Sequence, residues 1–474
     1  MRWTRLLLPL AATVATTAVI LPTQLVAFGG LPDMLDLDQR SVRVFNNFTN
    51  PEANNNTTPD PDFPGYVGAE LAIWKAAVEW GSALHGDGGG DPVEGLLGSG
   101  SSNFDFTWQG NAPDVGGLAD NTCSMLSGSL QNVLSFTEGN VNGWRIRFYE
   151  SGSVGSWIWQ DGPGDEELSS VIRPDLQGMA ALQLGFALGL SASQTPGNTM
   201  YPLSQGNTIE RRSIELEDVT NLQAIYGVAA AGKPVITKAS RFAQGFLVEG
   251  ANFSPTDNEV WFTRGDGLGD GTPVKVVGLV STLGGTRIEG SLPAEAGSGD
   301  VLVKVPGTSG SDLSNAWPFD RDQLRGFPEF CNVSDNTTFF CPCANIGNGL
   351  GGCDNAQGTG GVTTQVQLFF PTTPQATLIC SGYPTMGSPT SILIRGTSLL
   401  SNAAIFGDGL RCVDTPVVRL AAEFATGGVS THTFGHGAGT GTFHYQPWYR
   451  NTPQSYCDPA AAFNLGSGVS IAWP

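Results

Sequence analysis

Leu182-Gln183-Leu184-Gly185-Phe186-Ala187-Leu188-Gly189-Leu190-Ser191-Ala192-Ser193 is the stretch on which the reading of the first half of the chain turns. Leu176, Met179, Leu182, Phe186 and Leu190 recur at helical spacing, so Asp175 to Leu190 reads as a helix with a core-facing side. Met200-Tyr201-Pro202 follows seven residues after Ser193. Leu216-Glu217-Asp218-Val219 and Leu222-Gln223-Ala224-Ile225-Tyr226-Gly227 come next. An ordinary core helix explains the apolar spacing but not the glycines, the Met-Tyr-Pro or the Tyr-Gly in their places. Upstream, Tyr66 to Leu84 puts Leu71, Trp74, Ala77 and Val78 on one helical face. Asn103 to Trp108, Trp144 to Tyr149 and Trp157-Ile158-Trp159 alternate as strands do. Helices and strands together, joined by glycine-rich loops such as Gly86 to Gly100, predict an α/β unit with a mixed sheet.

Gly185, Ala187-Leu188-Gly189-Leu190, Met200-Tyr201-Pro202 and Tyr226-Gly227 fall at the spacings of a known pattern. Residues 66–228 resemble the catalytic half of the matrixin family of metzincin metallopeptidases. That family reads H-E-x-G-H-x-L-G-x-x-H, then M-Y-P as its Met-turn, then a closing helix ending in Tyr-Gly. Two histidines four apart on one helical face, with a third beyond a glycine turn, hold Zn²⁺ at roughly 2.0–2.1 Å. The glutamate takes a proton from the zinc-bound water, whose pKa the metal brings to about 7. Here the ligand positions are Leu182, Phe186 and Ala192, the base position is Gln183, and the Met-turn residue is Met200. Apolar side chains do not ligate zinc, and an amide has no proton equilibrium to serve as base. Before residue 229 the only histidine is His85, which reads as a surface residue suited to a helix C-terminus. Asp165, Glu166 and Glu167 read as a solvated loop. The resemblance therefore implies a peptidase fold with its zinc site lost and no catalytic residue retained. No cofactor is expected, and zinc only if the family activity persists.

The chain has 474 residues, which sets a prior of roughly two to four domains. Apolar residues make up 40%, enough for real cores, and 64 glycines with 30 prolines favour turn-rich β-structure. Lys plus Arg number 23 against 43 Asp plus Glu, for a net charge of -20. Such a field repels nucleic acid and anionic membrane surfaces. Arg2 and Arg5 precede an uncharged run from Leu6 to Leu21, ended by Pro22, so residues 1–28 read as a secretory signal peptide. Sixteen residues, interrupted by Pro9 and diluted by Thr13, Thr16 and Thr17, fall short of the roughly 20 a spanning helix needs. The expectation is a secreted or cell-surface protein with no integral membrane segment in the mature chain.

Seven of the eight cysteines lie at or after Cys331, as an oxidising compartment would favour. Cys331, Cys341, Cys343 and Cys353 are spaced nine, one and nine residues apart. Zinc ribbons pair ligands as C-x-x-C, so bridges among these four are expected rather than a zinc knot. Cys412 and Cys457 are expected to staple later strands, leaving Cys380 over, while Cys123 stands alone.

After the first unit (residues 29–229) and the linker Ala229 to Gly232, helical signals disappear. Short strands at Phe246-Leu247-Val248, Val260-Trp261-Phe262, Val274 to Val280, Thr286-Arg287-Ile288 and Val301 to Val305 predict an immunoglobulin-like sandwich over residues 232–320. Pro234-Val235-Ile236, Val248 to Phe253, Leu292-Pro293 and Val301-Leu302-Val303 resemble an IPT/TIG domain, which implies an interaction or spacer module. Residues 326–474 read as an all-β disulfide-containing domain. Cys341-Pro342-Cys343, Phe406 to Cys412, Tyr445 to Arg450 and Phe463-Asn464-Leu465 look like a C-terminal module of secreted bacterial proteins. Smaller motifs are weaker. His432, His436 and His444 sit in a glycine-rich run that reads as a loop. Arg264-Gly265-Asp266 reads as a turn, and Asp266 with Asp270 falls short of a calcium loop. Asn345 to Gly352 reads as a disulfide-bounded loop.

The leading expectation is a secreted, inactive matrixin-like binding or surface protein whose partner is an extracellular protein or glycan. Alternatives are an active extracellular zinc metalloendopeptidase, or a carbohydrate-binding or adhesive protein using Tyr445, Trp448, Tyr449 and Trp473.

Overall fold

The structure is a computed structural model. It describes residues 34–473 apart from 89–96, 129–132, 154, 165–171, 203–208, 243–244, 266–269, 323–328, 332–340, 348–350, 371–374, 436–440, 452–456 and 458–461. It is mostly β-sheet, divided among several sheets, with three α-helices among the described residues.

Five strands build the first sheet: β1 Ser41–Phe45, β2 Thr107–Asn111, β3 Thr122–Leu126, β4 Ser135–Asn140 and β5 Gly143–Tyr149. Their order is β2-β1-β3-β5-β4, parallel except for the edge strand β4. The helices are α1 Gly68–Glu79, α2 Leu176–Ala187 and α3 Leu216–Tyr226. Every residue of α2, and every residue of α1 but Glu70, is buried, so neither is a one-faced surface helix. By contrast α3 buries only Asp218, Leu222 and Tyr226, a single face at i, i+4 and i+8. One continuous core joins Val42 and Val44 to Trp74, Trp80, Trp108, Trp144 and the apolar residues of α2. On the opposite sheet face, Arg147 donates to Ser124 Oγ (2.5 Å) and Gly116 O (2.6 Å), and Arg43 donates to Asp120 O. The expected strand over residues 103–108 starts only at Thr107. Trp157-Ile158-Trp159 is not a strand; its alternation reflects Trp157 and Trp159 dipping into the core, where Trp159 Nε1 donates to Tyr149 O. A two-residue hairpin, β6 Ser151–Gly152 with β7 Gly155–Ser156, precedes it.

Eight strands form the second unit: β8 Val235–Phe242, β9 Gly245–Ala251, β10 Asn258–Arg264, β11 Val274–Leu279, β12 Ser281–Thr282, β13 Arg287–Ser291, β14 Ala296–Lys304 and β15 Trp317–Phe319. Two four-stranded sheets, β11-β10-β14-β15 and β12-β13-β9-β8, enclose Ile236, Phe246, Val248, Val260, Phe262, Val301 and Val303. Val260 and Phe262 point inward. Trp261, on the other face, is buried with Leu302, Leu313, Ala316 and Leu37. This outer face carries apolar residues because it packs against the first unit, where β10 and β14 meet β2.

The third unit is antiparallel throughout. Glu329–Phe330, Gly468–Trp473, Gly441–Arg450, Thr390–Gly396 and Val418–Phe424 lie side by side in that order, and Phe463–Leu465 also pairs with Gly441–Arg450. Thr363–Phe370, Gln375–Ser381 and Val429–Gly435 form a second sheet, and Leu399–Phe406 pairs with Gly409–Val413. The bridges are Cys331–Cys412, Cys341–Cys353 and Cys343–Cys457, with Cα–Cα distances of 5.9, 5.6 and 5.5 Å. Only Cys341–Cys353 joins two of Cys331, Cys341, Cys343 and Cys353, so the expected bridging among these four is corrected. Cys331 follows the strand Glu329–Phe330 and faces Cys412 on Gly409–Val413; convergence of strands, not sequence proximity, chooses the partner. Cys123 and Cys380 are free and buried. Burial pushes the Cys380 thiol up to about 11, and that of Cys123 higher still.

Candidate functional site

Asp175 starts α2: its side chain accepts the Gly178 N–H at 2.7 Å and is gripped by Arg212 through two nitrogens, at 3.0 and 2.5 Å. One turn apart on this helix, Leu182 and Phe186 are 1% and 0% exposed and belong to the main core. Ala192, beyond the turn at Gly189 (φ 88°), packs against the same core. Gln183 is also buried, and its side chain is tied to the sheet edge. Thr137 Oγ1 donates to Gln183 Oε1 (2.8 Å) while Gln183 Nε2 donates to Ser135 O (3.3 Å), so the amide bridges α2 to β4.

The Met-Tyr-Pro turn lies beneath this helix. A Cβ at Gly185 would sit 2.2 Å from Met200 Sδ and 2.8 Å from Trp80 Cζ2, so glycine is what allows both to approach. Trp80 Nε1 in turn donates to Ala181 O at 3.0 Å. The turn is held from α3: Asp218 Oδ2 accepts the N–H groups of Thr199 (3.0 Å) and Glu215 (3.2 Å). Burial raises the Asp218 carboxyl to about 6, against the opposing pull of those N–H groups. Tyr226 closes the assembly, its hydroxyl donating to Leu188 O and accepting from Leu35 N. Leu182, Phe186, Ala192 and Met200 are thus brought into one cluster, to which Leu182, Phe186 and Ala192 contribute carbon only. Among the described residues no group of three or more His, Cys, Asp or Glu side chains is placed to hold a metal.

His85 corrects its sequence reading. It is 2% exposed, stacks on Phe63, and places Nε2 2.7 Å from Asp300 Oδ1 of β14. The other oxygen of Asp300 accepts Trp74 Nε1 and the Trp108 N–H, each at 3.3 Å. Thr263 Oγ1 donates to Trp108 O, and Lys233 pairs with Asp105 at 3.0 Å. These contacts span the junction of the first two units. No sequence signal marked Asp300, since its partner His85 lies 215 residues away. Beside them a cavity of about 570 Å³ is lined by Asp62, Asp87, Lys238, Arg241, Trp317 and Asp320, among others, and by no residue of α2 or the Met-Tyr-Pro turn.

In the third unit, His432 lies on a strand rather than a loop, 1% exposed, 3.0 Å from Ser391 Oγ and 3.1 Å from Ser430 Oγ. Tyr383 closes that knot, and burial lowers the histidine's pKa. All of these groups are sealed between the sheets. His444 is also on a strand, while His436 and Asp266, like Asp165, Glu166 and Glu167, lie outside the described residues. Tyr445, Tyr449 and Trp473 are core residues (0, 1 and 3% exposed), which corrects their reading as a sugar-stacking surface. Trp448 alone is half-buried, with Arg419 over its ring at 4.6 Å.

No protein-family model matches this chain, and no curated protein does. Among solved structures it is similar to a tetra-tandem repeat from the extending region of a large adhesion protein, at 8% identity and a TM-score of 0.17. That similarity covers 51% of this chain and 48% of the other. A second, the human OSCAR ligand-binding domain, gives 11% identity and a TM-score of 0.14, covering 50% of this chain and 97% of that one. Scores this low assign neither fold nor function, and they lend no support to a matrixin or IPT/TIG relationship.

Proposed function

We propose that this chain is an exported, catalytically silent matrixin-like protein that acts outside the cell as a binding or surface module for a protein or glycan. The observation that carries the reading is the state of α2. Leu182 and Phe186 are packed carbon, and Gln183 is held by Thr137 and Ser135 instead of facing a reaction centre. The close fit of Gly185 over Met200 and Trp80 supports a peptidase-like frame retained for packing. Export is supported by three disulfides and by the absence, among described residues, of any helix long and apolar enough to cross a membrane. Removal of residues 1–28 is part of the same proposal.

The test is metal analysis of the full secreted chain, with proteolysis measured with and without chelator. The expected result is no stoichiometric zinc and no chelator-sensitive cleavage. One zinc per chain with such cleavage would establish the working peptidase instead. The combined variant Leu182→His, Gln183→Glu, Phe186→His and Ala192→His should gain zinc affinity. A folded variant that takes up no metal would remove the matrixin frame from the proposal.

A further inference from the structure

Arg40 follows the short helical turn Leu37–Gln39 and is 2% exposed. A guanidinium has five N–H donors, and a buried charge is ordinarily matched by an opposite one. Among the described residues no carboxylate lies within ion-pair distance of Arg40, and Asp105 and Asp36 support it only from further away. Among the described residues its one hydrogen bond is from Nη1 to Asn103 O at 3.3 Å, Nε has no partner, and it forms no ion pair. The rings of Phe104 and Tyr226 lie 4.7 and 5.7 Å from its Cζ; they attract the cation but accept no N–H hydrogen bond in the guanidinium plane.

The nearby carboxylates leave the Arg40 fork without a direct acceptor. Lys233 is close enough to Arg40 for the two cations to repel, and Asp105, at 3.0 Å from Lys233, is the carboxylate matched to that lysine. Tyr226 keeps its proton, its pKa raised to about 12 by burial, and adds no charge. Asp312 is occupied in capping the Ser309 N–H at 2.8 Å, and Asp36 is exposed. Arg40 borders a cavity of about 130 Å³ shared with Asp36, Asn103, Tyr226, Ser309 and Gly310. Gly310 keeps the space beside Nη2 open: a Cβ there would come within 2.8 Å of that nitrogen. The volume suits a group of a few heavy atoms and is well below the roughly 300 Å³ at which drug-sized ligand sites begin.

We propose that this cavity, at the junction of the first two units, binds a small oxyanion through the planar fork of Arg40. A carboxylate or a phosphate-type anion offers two oxygens to two parallel N–H groups of that fork, whereas a single chloride cannot lie in line with both. The site is independent of the α2 reading.

The test is calorimetric titration of the full secreted chain, dialysed free of oxyanions, with sodium acetate and separately with sodium phosphate. Sodium chloride at equal ionic strength is the reference. One-site saturable binding of either oxyanion, absent with chloride, is expected, and the tighter of the two identifies the ligand type. Arg40→Lys keeps the charge but loses the fork, and should weaken binding at least about tenfold. Asp36→Asn removes repulsion at the rim and should tighten it by about two- to tenfold. Saturable binding by neither oxyanion overturns the proposal, as does unchanged affinity in a folded Arg40→Lys. If Arg40→Lys does not fold, Asp36→Asn decides, and unchanged affinity there overturns it.

Discussion

Asp218 shows how a single residue couples two elements through its charge. It caps α3 and also holds the Met-Tyr-Pro turn, and burial raises its carboxyl from 3.8 to about 6. Because the folded pKa is above the unfolded one, the native state keeps its proton where the unfolded chain has lost it. Its contribution is complete below about pH 4 and is lost as the pH rises through about 6. Urea midpoints of the wild type and Asp218→Asn, taken as a difference between pH 4 and 7, should therefore favour the variant increasingly as pH rises. A flat difference would show that the carboxyl is solvated. Gly185 makes the complementary point about space. The sequence marks it as an oddity within an apolar helix, and the close approach of Met200 and Trp80 supplies the reason.

At the scale of elements, period and composition were largely sufficient. The helix expected over residues 175–190 is Leu176–Ala187, and the strands expected around Phe246, Val260 and Val301 are all present. Partners were not legible, and the disulfides are the clearest instance. Cys331–Cys412 closes a separation of 81 residues, and Cys341–Cys353 one of 12. Loop-closure entropy grows with the logarithm of that length, so removing the longer bridge should cost about 1–2 kcal/mol more than removing the shorter. Denaturant midpoints of Cys331→Ala/Cys412→Ala and Cys341→Ala/Cys353→Ala in the full chain measure the difference. Equal losses, together with a local Cys331–Cys343 peptide by mass mapping, would restore the mutual bridging expected from spacing.

For the whole molecule, the decisive feature is the buried junction between the first two units. Asp300 serves His85, Trp74 and Trp108 at once, and the sheet face carrying Trp261 and Leu302 is covered rather than wet. Such a junction predicts that residues 34–320 unfold as one cooperative unit despite their two folds. Asp300→Ala leaves three buried donors without their acceptor and should cost roughly 3–5 kcal/mol. Calorimetry of the variant, with tryptophan emission as a second probe, should show a lowered transition separating into two steps. A wild-type melting curve in the variant would mean the units are only tethered.

What the sequence determined by itself is local or compositional. Helical and strand periods, the glycine and Met-Tyr-Pro spacing, the acidic balance and the lack of ligating atoms at Leu182, Phe186 and Ala192 are all written in residue order. Tertiary structure decided which groups meet: Gln183 with Thr137, His85 with Asp300, Cys331 with Cys412, and Tyr445 and Trp473 with the core. Periodicity records which face of an element is apolar, but not which distant element covers it. The partner is chosen only when packing brings together residues that can lie more than two hundred positions apart.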